Sequence, residues 1–146
     1  MKHMTTLLLA ASLIALASPA HARNDQLKLP IADAMSAANA NGKLNSSVKF
    51  YFSGQKTPHA KQTMGTFTAN KKTNALNKTD KGACEWAFTS AILALQSRAL
   101  REGGNAVVDI HSVYKDHDLK SATEYECGAG VIMAGVALRG TVVKLR

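Results

Sequence analysis

The chain has 146 residues, 46% of them hydrophobic and 19% charged, with a formal net charge of +8. That length makes one domain with enough interior for a core that needs no metal. No apolar run reaches the roughly 20 residues of a membrane-spanning helix. The longest beyond the first residues, Val131 to Leu138, contains a glycine and reads as a buried strand.

The chain opens MKHMTTLLLAASLIALASPAHA. Lys2 and His3 make a basic start, Leu7 to Ala17 an apolar run broken only by Ser12, and Pro19 precedes Ala20-His21-Ala22. This is the pattern of a secretory signal peptide cleaved after Ala22. No cysteine follows the cleavage site to carry a lipid. Residues 23–146 are therefore expected as a single mature domain, periplasmic or secreted.

In chain order, LKLPIADAMSAANANGKL predicts a short strand and then a short helix from Ile31 or Ala32, stopped by Gly42. SSVKFYF alternates Val48, Phe50 and Phe52 inward and predicts a strand. SGQKTPHAKQTMG reads as a long polar loop, and TFTANKKTNAL, residues 66–76, as a strand with only Phe67 and Leu76 as large apolar residues. Residues 79–102, TDKGACEWAFTSAILALQSRALRE, predict one amphipathic helix. Thr79 or Asp80 can cap its first N–H groups, and Gly103-Gly104 end it. Cys84, Phe88, Ala91, Ile92, Leu95 and Ala99 fall at helical spacing and make one apolar stripe.

NAVVDIHSVY, residues 105–114, predicts a strand and SATEYEC its hairpin partner, across the polar loop KDHDLK. Side chains alternate along a strand. Val108 and Ile110 would then face the helix, and Asp109 and His111 would face away. In the partner strand Tyr125 and Cys127 share one face, Glu124 and Glu126 the other. Pairing Ile110 with Cys127 places Cys127 opposite Cys84, between helix and sheet. VALRGTVVKL supplies a last strand. The expected fold is α+β: a mostly antiparallel sheet packed against one long helix.

Cys84 and Cys127 are the chain's two cysteines. Export implies an oxidising compartment, where a bridge between them persists. Zinc needs more ligands than two thiols, and no Cys-x-x-Cys motif is present. A catalytic Cys–His pair with His111 or His117 is the rival reading.

The same register sets His111 opposite Glu126, with Asp109 and Glu124 on that outer face and Asp116, His117 and Asp118 in the adjoining turn. Imidazoles beside carboxylates can transfer protons or bind a divalent ion. The candidate catalytic residues are Asp109, His111 and Glu126, and the candidate metal ligands His111, His117 and Glu126. Their spacing matches no ligand signature, and a solvated face of alternating sign accounts for the same residues. There is no Gly-x-x-x-x-Gly-Lys-Ser/Thr phosphate loop, no Gly-x-Ser-x-Gly elbow and no His-Glu-x-x-His helix. No cofactor is expected. Asn45-Ser46-Ser47 and Asn77-Lys78-Thr79 match the short glycosylation pattern.

Charge is unevenly spread. Residues 43–81 hold eight lysines and one acid, Asp80. Residues 23–42 and 82–146 each balance. Lys49, Lys56, Lys61, Lys71, Lys72, Lys78 and Lys81, with Lys43 just before, form the candidate patch for an anionic partner. Lysines along a sheet edge also deter strand addition, so both readings stand. The patch has no arginine, and Tyr51 is the one aromatic expected to be exposed beside it. Nucleic-acid readout favours arginine and stacking aromatics. Lipid headgroups or cell-wall carboxylates fit better.

GACEWAFTSAILALQSRALREGGNAVVDIHS, YECGAG and GVALRGTVVKL resemble small secreted bacterial proteins that carry the label excinuclease ATPase subunit. The label implies ATP-driven DNA repair, which an export signal and the missing phosphate loop oppose. Cys84 to Leu145 is also similar to the YbjQ-like and Rcs stress-sensor lipoprotein type of α/β module. Its pattern is a cysteine opening a helix, an NAVV strand, a later cysteine and RGTVV. That likeness implies the fold and, for the Rcs type, stapling by disulfides. This chain has two cysteines where that type has four, and no lipid-anchor cysteine.

The expected function is an exported binding or interaction module for an anionic envelope component, lipid headgroup or cell wall, or for an envelope protein. The alternatives are a metal-dependent or acid–base enzyme on the His111 face, and a structural envelope protein that forms homo-oligomers through its last strand.

Overall fold

The computed structural model describes residues 22–146; the expected leader lies, all but Ala22, outside the described residues. The elements run β1 (Asp25–Pro30), α1 (Ile31–Ala40), β2 (Lys49–Phe52), β3 (Ala60–Asn74), α2 (Asp80–Glu102), β4 (Ala106–Ser112), a 3-10 turn (Tyr114–Asp116), β5 (Glu124–Ala129) and β6 (Met133–Leu145). The fold is α+β, one domain with one long helix on a largely antiparallel sheet.

β6 is the hub of that sheet. One of its edges pairs with β3 along its whole length. The other pairs with β5 at Ala134 and Gly135 and with β4 from Leu138 to Val143. β1 extends the sheet beyond β5, and β2 extends it beyond β4 as a parallel neighbour. β6 buries nearly every residue from Ala134 to Val143 on both faces, which a central strand requires. Among the described residues both its edges are occupied by strands of the same chain. The free edges belong to β1, β2 and β3.

Two expectations are corrected here. The polar loop before Gly65 is shorter than expected, because β3 already begins at Ala60 and continues through a bulge at Thr63 to Gly65. The β4–β5 hairpin does not form. Only a single bridge, Ser112 to Leu119, continues β4 toward that loop. β5 instead turns back through residues 130–132 onto β6, so Cys127 lies opposite Leu27 and His111 opposite Arg139. The three-residue connection closes at lower entropic cost than the long polar loop. It also lets the most apolar strand occupy the centre.

α2 begins at Thr79, whose side chain accepts a hydrogen bond from the Gly82 N–H. It ends at Gly103 in the left-handed conformation, φ 77°, which glycine adopts without strain. The predicted stripe is the core: Cys84, Phe88, Ala91, Ile92 and Ala99 are fully buried, and Leu95 nearly so. Phe88 stacks on Phe52 at 6.0 Å and tilts against Tyr125 at 4.6 Å. The Cys84–Cys127 disulfide joins α2 to β5 with 5.9 Å between Cα atoms. The bridge follows from both cysteines facing the helix–sheet interior, although the strand pairing that places Cys127 is not the expected one.

The Tyr125 hydroxyl is buried without a hydrogen-bond partner. Burial, with Glu85 and Asp33 nearby, pushes its ionisation well above the ordinary range. An unpaired buried hydroxyl costs about 1–3 kcal/mol. Tyr125→Phe is therefore expected to raise the denaturant midpoint by the equivalent of about 1 kcal/mol; a loss of stability would show that the hydroxyl is satisfied in solution.

Candidate functional site

The helices cover one face of the sheet, and the segment after β4 covers part of the other. That segment passes Tyr114 and then Lys115 and Asp116, both at positive φ (50° and 58°). These turns lay Tyr114 flat across β5 and β6. A Cβ at Gly128 would stand 1.9 Å from the Tyr114 hydroxyl oxygen, so only a glycine fits beneath the ring. At Gly135 a Cβ would touch both Tyr114 Cε2 and Lys72 Cγ at 3.5 Å. Gly128→Ala is expected to lift Tyr114 off the sheet and destabilise by about 1–3 kcal/mol, as overpacking does. Near-ultraviolet circular dichroism should lose the Tyr114 share of the tyrosine signal, and an unchanged spectrum would contradict this seating.

Beside Tyr114 lies a cleft of about 520 Å³, walled by Gly128, Gly130 and the segment Val131-Ile132-Met133, with Arg23 and Lys72 on its rim. The three apolar side chains are 58%, 65% and 46% exposed. Val131 to Leu138 is expected as one buried strand; in the structure Val131 and Ile132 lie on the open turn, Met133 opens β6 still exposed, and burial begins only at Ala134. Leu76, also exposed, is carried to this end by the Ala75 N–H bond to the Ile132 carbonyl.

Arg23 fastens the start of the chain here. Its guanidinium donates to Asp80 at 2.8 and 2.9 Å, to Asp25 at 3.1 Å and to the Gly130 carbonyl at 3.2 Å. The Asp80 carboxyl is held below its ordinary range by that guanidinium. Arg23 is thus neutralised, whereas Lys72 makes no ion pair among the described residues. Lys115 lies 5.6 Å from the Tyr114 ring centroid.

The acid–base candidates divide into separate pairs. β4 carries a bulge at Asp109, which has φ 51°. The bulge breaks the alternation, so Val107 and Ile110 face the core in place of the expected Val108 and Ile110. His111 is buried at 7% exposure rather than open on an outer face. Its Nδ1–H donates to the Asp109 carbonyl at 2.8 Å, and Nε2 lies 3.9 Å from Asp118. Glu126, 3% exposed, meets His117 at 3.1 Å, and its backbone N–H donates to Ser112 Oγ. His111 and Glu126 are therefore not opposite one another. The Asp109 side chain accepts from Ser53 at 2.5 Å and lies 3.4 Å from Lys120. Ser53 first, then Lys120, hold its carboxyl below the ordinary range. No three His, Cys, Asp or Glu among the described residues are spaced to hold a metal.

The lysines are dispersed as well. Lys81 pairs with Asp33 and Glu85. Lys78 donates to the Asn74 carbonyl and lies over Trp86. Lys49 sits on β2, Lys56 in the loop after it, and Lys61 at the start of β3. Lys71 and Lys72, adjacent on β3, project to opposite faces. Lys72 reaches the cleft, whereas Lys71 lies on the α2 side with Phe67 and Ala69.

Sequence reasoning missed the cleft. Its signal was CGAGVIMAG, where glycines flank three apolar residues too short a stretch to be a buried strand of their own. No family model matches the chain, and no curated protein sequence matches it.

Proposed function

We propose that this protein is an exported binding module of the cell envelope that takes an anionic amphiphile at the Tyr114 cleft. The supporting observation is an exposed apolar run, Val131 and Ile132 on the turn with Met133 at the start of β6, continuous with an apolar cleft whose rim carries Lys72, unpaired among the described residues. Single exposed apolar residues are ordinary on a surface, but a contiguous set beside a cleft marks a binding surface. The acyl portion of the ligand lies against the turn and Tyr114, and its negative head group meets Lys72 and Lys115. An aliphatic side chain moved from water into an apolar medium contributes about 1.5–3 kcal/mol. Each lysine at an anionic surface adds about 1 kcal/mol. Together they support reversible rather than permanent attachment. Location in the periplasm or outside the cell rests on the leader pattern; the disulfide, and the lack of a helix long and apolar enough to cross a membrane among the described residues, agree with it.

The test is flotation of residues 23–146 with vesicles of phosphatidylglycerol and phosphatidylcholine. The protein should float with anionic vesicles, weakly with neutral ones, and less as salt screens the lysines. Ile132→Asp should reduce binding at least about tenfold, since it removes apolar contact worth more than the 1.4 kcal/mol of one decade. The fold should survive, because the position is exposed. Equal binding by Ile132→Asp, or no binding in low salt, would discard the proposal.

A further inference from the structure

On the other face of the sheet, α2 and the edge strand β3 enclose a groove of about 330 Å³. Its walls bring together three cations from two segments far apart in sequence: Lys71 from β3, and Arg98 and Arg101 from α2. Arg98 and Arg101 are three residues apart and so neighbours along one helix face. Lys71 joins them because it alternates with Phe67 and Ala69 toward the helix.

The groove is built around Arg98. Its guanidinium carbon lies 3.9 Å from the Phe67 ring centroid, which fixes the plane of the group against the strand. Its Nε is 3.0 Å from a Glu102 oxygen but off the line of a hydrogen bond, and that buried nitrogen has no hydrogen-bond partner. The other N–H donors of Arg98 have no protein acceptor among the described residues. Neither Lys71 nor Arg101 makes an ion pair there. Set against the single charge of Glu102, the groove carries two net positive charges and a fan of unused donors.

We infer that this groove is a binding site for a phosphate-class dianion, held by Lys71, Arg98 and Arg101. The chemistry follows from the donors. Guanidinium groups present forked N–H pairs that match phosphate oxygens, and a lysine adds a point charge from a third direction. Donors converging from strand and helix suit a tetrahedral group better than a planar carboxylate. The volume leaves room for the group on a small carrier. The site is independent of the Tyr114 cleft, since Lys71 and Lys72 point to opposite faces. It also differs from a diffuse lysine surface, because two of its three cations are arginines outside the basic segment.

The test is a nuclear magnetic resonance titration of residues 23–146 with inorganic phosphate, at ionic strength held constant with sodium chloride. Saturable shifts are expected for the Arg98 Nε–H and the Phe67 ring. Lys71→Gln with Arg101→Gln should weaken the affinity by at least roughly tenfold, the loss of charge-assisted hydrogen bonds, while leaving the spectrum of a folded protein. Ile132→Asp should leave phosphate binding unchanged. Glycerol 3-phosphate separates the sources: tighter binding than phosphate assigns a phosphorylated carrier, weaker binding the free ion, and both uphold the site. Shifts that do not saturate, or that persist at full strength in the double variant, would overturn it. So would shifts lost in Ile132→Asp, since they would then not report this groove.

Discussion

Replacing both Cys84 and Cys127 with alanine is expected to cost about 4 kcal/mol of stability and to lower the melting temperature by roughly 10–20 °C. The bridge spans 43 residues of sequence separation. A closed loop of that size removes about 4 kcal/mol of entropy from the unfolded chain. That is a large share of the 5–15 kcal/mol that holds a domain together. Both sulfurs are fully buried, so the folded protein should also resist a mild reductant until denaturant opens the core. The measurement is a denaturant titration of the variant and the wild type, with the intact mass of the wild type showing the two missing hydrogens. A shift equivalent to less than about 1 kcal/mol would mean that the bridge contributes little, and rapid reduction without denaturant would contradict its burial.

Phe88→Ala is expected to cost about 3–5 kcal/mol, the usual loss for a buried phenylalanine emptied to alanine. Phe88 is completely buried and lies between the Phe52 and Tyr125 rings, so it joins α2 to both arms of the sheet, β4–β2 and β5–β1. Those rings belong to different strands and cannot both close on the space left behind. Trp86, two residues earlier on the same helix, is 55% exposed. Trp86→Ala should therefore change stability by no more than about 1 kcal/mol, the worth of its exposed contact with Lys78. The pair isolates burial from helix propensity, because both substitutions introduce the same residue into the same helix. Comparable losses at the two positions would show that the stripe is not the core.

What the sequence by itself determined is local. The α2 stripe, its Thr79 cap and its Gly103 end follow from spacing and from residue chemistry within one turn of the chain. The inward direction of Cys84 is part of that stripe, and the oxidising compartment implied by the leader made its bridge to Cys127 the natural expectation. β1, α1 and β2 were legible for the same reason, each being a short apolar pattern between breakers.

Tertiary structure decided which strands pair. The apolar content of β6 could be read, but not that it would draw β3 onto one edge and β4 and β5 onto the other. That competition among distant segments moved Cys127 opposite Leu27 and separated His111 from Glu126. The bulge at Asp109 turned His111 into the protein, a shift of one residue that reverses faces and that no two-residue period reveals. Pairing also dispersed the lysines, because alternation sends Lys71 and Lys72 to opposite sides whatever their adjacency in sequence. Both the Tyr114 cleft and the Arg98 groove arise at contacts between segments tens of residues apart. A charge count along the chain averages over such contacts, whereas the fold selects which charges meet.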